Sequence, residues 1–417
     1  MQNFSRRTIV TAGISAITIG ATLTPVLSWA GPRNHGTKIQ KDFDSLWRTL
    51  RDQYCFFAEK QTDWDKVRAL YRPMAAQAAS VEEFTEVVRL VLAELYDAHT
   101  HLSPPPVGSP RWPLFDLLVH RREESLEIAA IDEGSAAALA GLSIGDKVVA
   151  INGQRITETL DQLRPRCLLR LHEEAEDYSA NVAVAGRRGQ ARQFAIMSKD
   201  AKQRTVDLPI YQRVQRPDVE WRRLDNGAGY IVIGSFSDDK VVESFDLALA
   251  ELRDASGLII DVQQNGGGDT AVARPIMGRF ITSRKPYAMM RRRKGAGLGS
   301  PWIEYVDPRG PFTYERPVVV LTGHWSASMA EGFPMGMRGI GRATVVGTRM
   351  MGLGAAVFTK TLKQTGVTFQ FSAEPVYDVQ NLPRWQMEPD IAVRAGDNIL
   401  TVAVSELSDK YTPRAKT

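Results

Sequence analysis

Cysteine is almost missing from this chain: Cys55 and Cys167 are the whole supply in 417 residues. Two thiols exclude a disulfide framework and a clustered zinc motif. Strong net charge is missing as well. The 52 Lys and Arg nearly cancel the 48 Asp and Glu, and the balance of +4 implies neither nucleic acid nor an anionic membrane as a partner. Internal repeats and low-complexity tracts are absent. Beyond residue 30 no segment is apolar enough to span a bilayer. What is present is an ordinary globular composition, 43% hydrophobic and 24% charged, at a length that suggests two or three domains.

The first residues read as a targeting segment. Ser5-Arg6-Arg7-Thr8-Ile9-Val10 is a twin-arginine pattern, and an uncharged, mostly apolar stretch runs from Thr8 to Ala30. Ser28-Trp29-Ala30 offers small residues where signal peptidase needs them. Residues 1–30 therefore predict an export signal and a periplasmic or secreted protein, with no stable membrane insertion after signal removal. A retained anchor is the alternative, since the stretch is long enough to span. Its Gly, Ser and Thr content and its cleavage-like end favour the signal.

Three regions follow. In residues 38–103, Phe43, Leu46, Trp47, Leu50 and Tyr54 recur at helical spacing. Asp63-Trp64-Asp65 starts a second helix, and Phe84, Val87, Val88, Val91 and Leu95 mark a third. Residues 110–200 change to short strands: Leu126 to Ile131, a short helix within Glu133 to Leu142, the Gly145-Asp146 turn, a strand and the Asn152-Gly153 hairpin turn. This order resembles a PDZ domain. The resemblance implies a peptide added as a strand to a sheet edge, with Leu114, Phe115 and Leu117 in the loop that receives a chain terminus. Tyr178 to Ile196 is expected to supply the closing strands. In residues 206–411, strands at Tyr230 to Ile233, Gly257 to Asp261, Pro317 to Leu321 and Ala343 to Gly347 alternate with helices at Val241 to Leu252 and Thr270 to Phe280. That alternation predicts an α/β core with a largely parallel sheet. The charge run Arg291-Arg292-Arg293-Lys294 reads as a solvated loop.

Two stretches of this region carry chemistry. Val318-Val319-Val320-Leu321-Thr322 leads through a turn of small residues to Ser328 and a helix-like stretch. The crevice beyond the carboxyl end of a parallel strand is where open α/β sheets place ligands, and a helix N-terminus there favours developing negative charge. Ser328 and Glu331 also have capping-box spacing, and in isolation the segment favours a simple helix cap. The second stretch is Leu258-Ile259-Ile260-Asp261 followed by Asn265-Gly266-Gly267-Gly268-Asp269. A dinucleotide fingerprint fits it poorly, because no acidic residue lies between Asp269 and Glu304 to take a ribose. Glycines that leave backbone N–H groups free for an oxyanion are the other reading.

Together with Ser326-Ala327-Ser328-Met329-Ala330-Glu331, Val345-Val346-Gly347 and Glu388-Pro389-Asp390-Ile391, these segments resemble the tail-specific (C-terminal-processing) serine peptidases. The likeness implies a crotonase-like α/β peptidase core with a PDZ domain and an N-terminal helical domain. It implies Ser328 as nucleophile and the N–H groups of Gly267 and Met329 as the oxyanion hole. Where bacterial processing peptidases carry a lysine base, this chain reads Gly352-Leu353-Gly354, and Lys360 and Lys363 read as strand-surface residues. The branch that includes tricorn protease uses a histidine upstream, and Asp97-Ala98-His99-Thr100 matches it. His99 is thus the expected base, with His101 as a neighbouring rival and His324 read as strand-end packing. The late glutamate of that branch has no counterpart in Pro383-Arg384-Trp385-Gln386-Met387, so Glu374, or else Asp378, is the candidate carboxylate. The resulting expectation is an exported serine endopeptidase acting on a polypeptide substrate through an acyl-enzyme, with no metal or organic cofactor and no nucleic acid. The alternative is an inactive relative that binds peptides or ligands, as the interphotoreceptor retinoid-binding protein uses this core.

Overall fold

The computed structural model describes residues 33–112, 115–394 and 397–411; the expected export signal and Leu114 lie outside them. Three helices come first, Arg33–Gln53, Trp64–Gln77 and Val81–Ala93. Their starts are chemical. The Asp63 carboxylate accepts the Lys66 N–H, and the Ser80 hydroxyl accepts the Glu83 N–H while Glu83 accepts from Ala79. The apolar stripe of these helices is not buried only within the trio. Ile39, Phe43 and Leu46 share a core with Leu362, Val367, Phe369 and Phe371 of a later hairpin, Ala355–Thr361 with Thr368–Tyr377. The buried Asp42 carboxylate fastens the two parts by accepting from the N–H groups of Gln364 and Thr365 and from the Thr365 hydroxyl.

The small β domain has a sheet ordered Leu117–Arg122, Ser125–Ile131, Lys147–Ile151, Arg192–Met197 and Gln203–Leu208. The last strand lies beyond residue 200, the expected edge of this region. A second correction concerns Tyr178 to Ile196. Only its end is strand; Glu173–Ala185 is a helix. Glu173, Glu174 and Glu176 lie in its first turn, where the helix dipole favours negative charge. Ala180, Ala183 and Val184 then bury its inner face. Alanine favours helix, and here it outweighs the strand preference of the interleaved valines. Asn181 on this helix pairs with both the N–H and the carbonyl of Val119, so it occupies part of the sheet edge that a peptide strand would extend.

The central sheet of the third region is ordered Ile391–Ala392, Ala343–Gly347, Val318–Thr322, Leu258–Asp261, Gly229–Ile233 and Val219–Arg223. All its pairings are parallel except that of the outer Val219–Arg223. Both faces are covered, which is why its strands read as unbroken apolar runs. Leu258, Ile260, Val318 and Val320 face the helices Lys240–Glu251, Thr270–Met277 and Met329–Gly339, while Ile259, Val319 and Leu321 face Ala403 and Leu407 of the Ile399–Tyr411 helix. A further sheet of Trp302–Val306, Lys285–Met290, Thr368–Tyr377 and His101–Leu102, with Ala355–Thr361 joined to Thr368–Tyr377, links the helical region to the core.

Asp42→Ala leaves two backbone N–H groups without their acceptor at the junction of helices and hairpin. It should lower stability by about 1–3 kcal/mol, read from urea unfolding. A shift below about 0.5 kcal/mol, the range of a neutral surface change, would show that the shared apolar core alone holds the hairpin.

Candidate active site

Ser328 sits between the Val318–Thr322 strand and the Met329–Gly339 helix with φ +55° and ψ −115°. A non-glycine residue in that region carries strain of about 1–3 kcal/mol and persists only where its surroundings over-determine it. The surroundings here are explicit. The Glu331 carboxylate, fully buried one turn into the helix, accepts the Ser328 N–H at 2.9 Å, the Leu353 N–H at 2.7 Å and the Gly352 N–H at 3.1 Å. Ser328 and Glu331 thus stand in the capping-box arrangement that their spacing predicts, with the Glu331 side chain on the Ser328 N–H. The Glu331 N–H bonds the Ser328 carbonyl. Burial pushes the Glu331 carboxyl up, against the opposing pull of Arg384 and of the three N–H groups.

The glycine loop closes on the same point. A Cβ on Gly267, whose φ is +102°, would lie 2.8 Å from the Ser328 Cβ and 3.1 Å from the Met329 nitrogen, so only glycine fits. Asn265 holds the loop there. Its side chain accepts the Gly267 N–H and donates to the Ile233 carbonyl, and its own carbonyl accepts the Ala327 N–H. Ser326 completes the clamp by donating to the Val262 carbonyl and accepting the Gly323 N–H. The expected oxyanion donors thus divide. Met329, at the helix N-terminus, has no acceptor for its N–H among the described residues, whereas the Gly267 N–H is already taken by Asn265. Gly268 is the loop residue that lines the cavity beside Ser328 and Met329, and its N–H also has no acceptor among the described residues.

His99 lies at the end of the helical region, buried. Its N–H bonds the Asp97 carboxylate at 2.9 Å and its carbonyl accepts from Gln370. Asp97 also accepts from the hydroxyls of Thr100 and Ser372. Burial alone would raise the Asp97 carboxyl; Lys60, His99 and these hydrogen bonds outweigh it and hold it below the usual range. Burial pulls the His99 imidazole down to about 4, against Asp97 and with help from Arg384 and His101. No hydrogen bond joins His99 to Ser328 among the described residues, and the His99 Nδ1 has no partner among them. The two are neighbours of common elements. Ser372, bonded to Asp97, pairs across the hairpin with Val357, which lines the Ser328 cavity.

The remaining expected residues fall elsewhere. Glu374 takes both nitrogens of an Arg292 fork, so this arginine of the expected solvated run is in fact ion-paired, and the carboxylate does not reach His99. Asp378 is spent on the N–H groups of Gln380 and Leu382. His101 bonds its neighbour's carbonyl, His324 rests edge-on to Trp325, and Lys360 and Lys363 are exposed. Leu117 belongs to the core of the small β domain and is fully buried, and Phe115 is buried in a stack with Trp325, so neither presents its side chain to a peptide. That stack has a 5.4 Å centroid separation, and the Trp325 indole donates to the Phe115 carbonyl, which joins the small β domain to the turn that carries Ser328. Asn265 and Arg384 were missed from sequence. The Asn-Gly-Gly-Gly context was a signal for the first; nothing local signals the second.

Comparison with known proteins agrees with this layout. Residues 227–393 match peptidase family S41, residues 36–93 the tricorn protease C1 domain and residues 127–171 the PDZ domain. The chain is 26% identical over 236 residues to the carboxy-terminal processing protease CtpB of Bacillus subtilis, an alignment covering 53% of this chain and 42% of that protein. It is 26% identical over 333 residues to a carboxyl-terminal-processing protease of Synechocystis, covering 76% and 72% of the two. This chain therefore spans less than half of the first relative. The solved photosystem II D1 C-terminal processing protease shares the α/β fold, with a TM-score of 0.56 over 85% of this chain and 92% of that one at 18% identity. A strained serine at a helix start, a glycine loop pressed against it and these matches lead to one assignment: residues 227–393 are a peptidase family S41 domain, accompanied by a PDZ domain and a helical N-terminal region, in a chain similar to carboxyl-terminal-processing proteases.

Proposed function

We propose that the protein is an exported serine endopeptidase that cleaves polypeptides through an acyl-enzyme. The observation that carries this reading is the strained Ser328 at a helix N-terminus, with Met329 and Gly268 N–H groups beside it. Ser328 attacks the scissile carbonyl, the two N–H groups take the charge that develops on the oxygen, and water releases the acyl group. The PDZ domain engages the substrate polypeptide and transmits contact to the Ser328 turn through Phe115 and Trp325. His99 is the general base. It is neutral at working pH, and Leu353 removes the lysine alternative. The transfer needs His99 to come within reach of the Ser328 hydroxyl, and catalytic hydrogen bonds often tighten only when substrate is engaged. The carboxylate beside it is Asp97 through the backbone, while Glu374 would have to leave Arg292 to serve.

The second reading, a binding protein without catalysis, is favoured by Leu353 and by the lack of a His99–Ser328 bond. A fluorophosphonate separates the two. Labelling of the wild type that disappears in Ser328→Ala is expected; no labelling of the wild type selects the binding protein. His99→Ala should slow acylation at least about a hundredfold, and Lys360→Ala and Lys363→Ala should change it little. Single-turnover rates of these variants on one unfolded substrate provide the check, and a dead lysine variant beside an active His99→Ala would overturn the base assignment.

The pH dependence has a definite sign. A base held near about 4 is deprotonated above that value, so kcat/KM should rise through pH about 4 and then stay level toward neutrality. An acid limb at the ordinary histidine value, about 6.5, would mean that the working imidazole is solvated rather than buried.

Export rests on Arg6-Arg7, outside the described residues. Arg6→Lys with Arg7→Lys should retain the protein in the cytoplasm on fractionation; normal export of that double variant would refute twin-arginine transport.

A further inference from the structure

Beside Ser328 lies a cavity of about 390 Å³, bounded by Met329, Gly332 and Met335 of the nucleophile's helix and by Tyr287, Val357 and Val376 of the linking sheet. Its lining is mixed: apolar side chains make up most of it, and Asp269, Thr270, Ser328 and Arg384 supply the polar part, Arg384 being the cation among them. Arg384 is only 6% exposed. One of its terminal nitrogens, Nη2, donates to the carbonyls of Leu353 and Ala355, at 2.5 and 3.3 Å. Its Nε is buried without an acceptor, and no carboxylate forms an ion pair with it among the described residues. The acid whose charge reaches it, Glu331, has its oxygens on the N–H groups of Ser328, Gly352 and Leu353. His99 faces it as a neutral ring, and Asp269 is exposed at the cavity mouth with its carboxylate capping the Ala271 N–H. Gly332 keeps the approach open: a Cβ there would lie 2.9 Å from the Met329 Cε and 3.2 Å from the Arg384 Nη1.

A buried guanidinium with an unfilled donor at the wall of a pocket is a site for an anion of matching geometry, and a carboxylate is that anion in a polypeptide. We propose that this cavity receives the side chain of the residue whose carbonyl Ser328 attacks, and that Arg384 makes it select an acidic residue, Asp or Glu. The inference rests on the serine-peptidase reading for its kinetic form, but the recognition is independent of turnover. An acidic side chain supplies the directly bonded carboxylate that Glu331, which acts on Arg384 only through space, does not. A neutral amide of the same shape offers one acceptor and no charge, and a lysine meets a like charge.

The test uses the mature full chain and peptides that differ only at the residue before the scissile bond. With Glu there, kcat/KM should exceed that with Gln by about tenfold or more, and Lys should be worst. Arg384→Gln should bring the Glu-to-Gln ratio toward one, and Arg384→Lys should keep part of it. The ratio is read within each protein, so a general loss of rate from disturbing Leu353 leaves the test intact. Equal cleavage of the Glu and Gln peptides by the wild type, or an unchanged ratio in Arg384→Gln, would overturn the proposal. Titration of the Ser328→Ala protein with the same peptides separates this from failure of the catalytic reading. Tighter binding of the Glu peptide by a similar factor supports the pocket even if the wild type never reacts with a fluorophosphonate. Equal affinity for the Glu and Gln peptides refutes it even if the enzyme proves active.

Discussion

The Glu331 carboxylate is the contact on which this site depends. It is buried, carries its own desolvation cost, and offsets part of that cost by accepting three backbone N–H groups from two separate segments. One of these is the N–H of Ser328, so the same carboxylate fixes the strained turn at the helix start. The other two belong to Gly352 and Leu353, which places the strand exit after Gly347 against the helix start. Leaving these donors unmatched in the core would cost more than the strain at one residue, which is why a positive φ at a serine is sustainable here.

The second organising fact is that the site is not the property of one domain. The helical region shares its apolar core with the Ala355–Thr361 and Thr368–Tyr377 hairpin, and that hairpin also walls the Ser328 cavity. Asp97 reaches Ser372 on the same hairpin, so His99 is carried toward the core by buried hydrogen bonds rather than by a flexible tether. The small β domain touches the nucleophile turn through the Phe115–Trp325 stack. Three regions of sequence therefore report to one turn. Disturbing the hairpin changes the cavity wall and the seat of the histidine together.

The sequence made the core legible because parallel strands buried on both faces leave an unambiguous apolar signature, as Val318 to Leu321 does. The Ser328 motif and the glycine loop could be read for the same reason: each demands particular residue types at adjacent positions. What failed were features set by distant partners. Tyr178 to Ile196 carries valines that suit strands, yet Ala180, Ala183 and Asn181 find a sheet to pack on and form a helix. Gly267 was legible as a close-approach glycine, but that its N–H would be spent on Asn265 depends on a side-chain rotamer. Glu374 had the right charge and lost it to Arg292, 82 residues away. Arg384 lies in a short turn with no pattern around it, and only the fold brings it beside Ser328.

Leu353 and Arg384 are best understood as a pair. The Leu353 N–H is held by Glu331 and its carbonyl by the Arg384 guanidinium, so this position is pinned from both sides next to the nucleophile. A lysine here would set its ammonium in the low-dielectric space already occupied by that guanidinium, and like charges in such a space repel strongly. With an arginine buried at this site, a leucine is the compatible neighbour. On the proposed mechanism, the proton acceptor then comes from outside the peptidase core. The helical region offers one in His99, whose ring the same guanidinium helps to keep neutral. Leu353, the buried arginine and the neutral histidine are thus one electrostatic arrangement rather than three separate features.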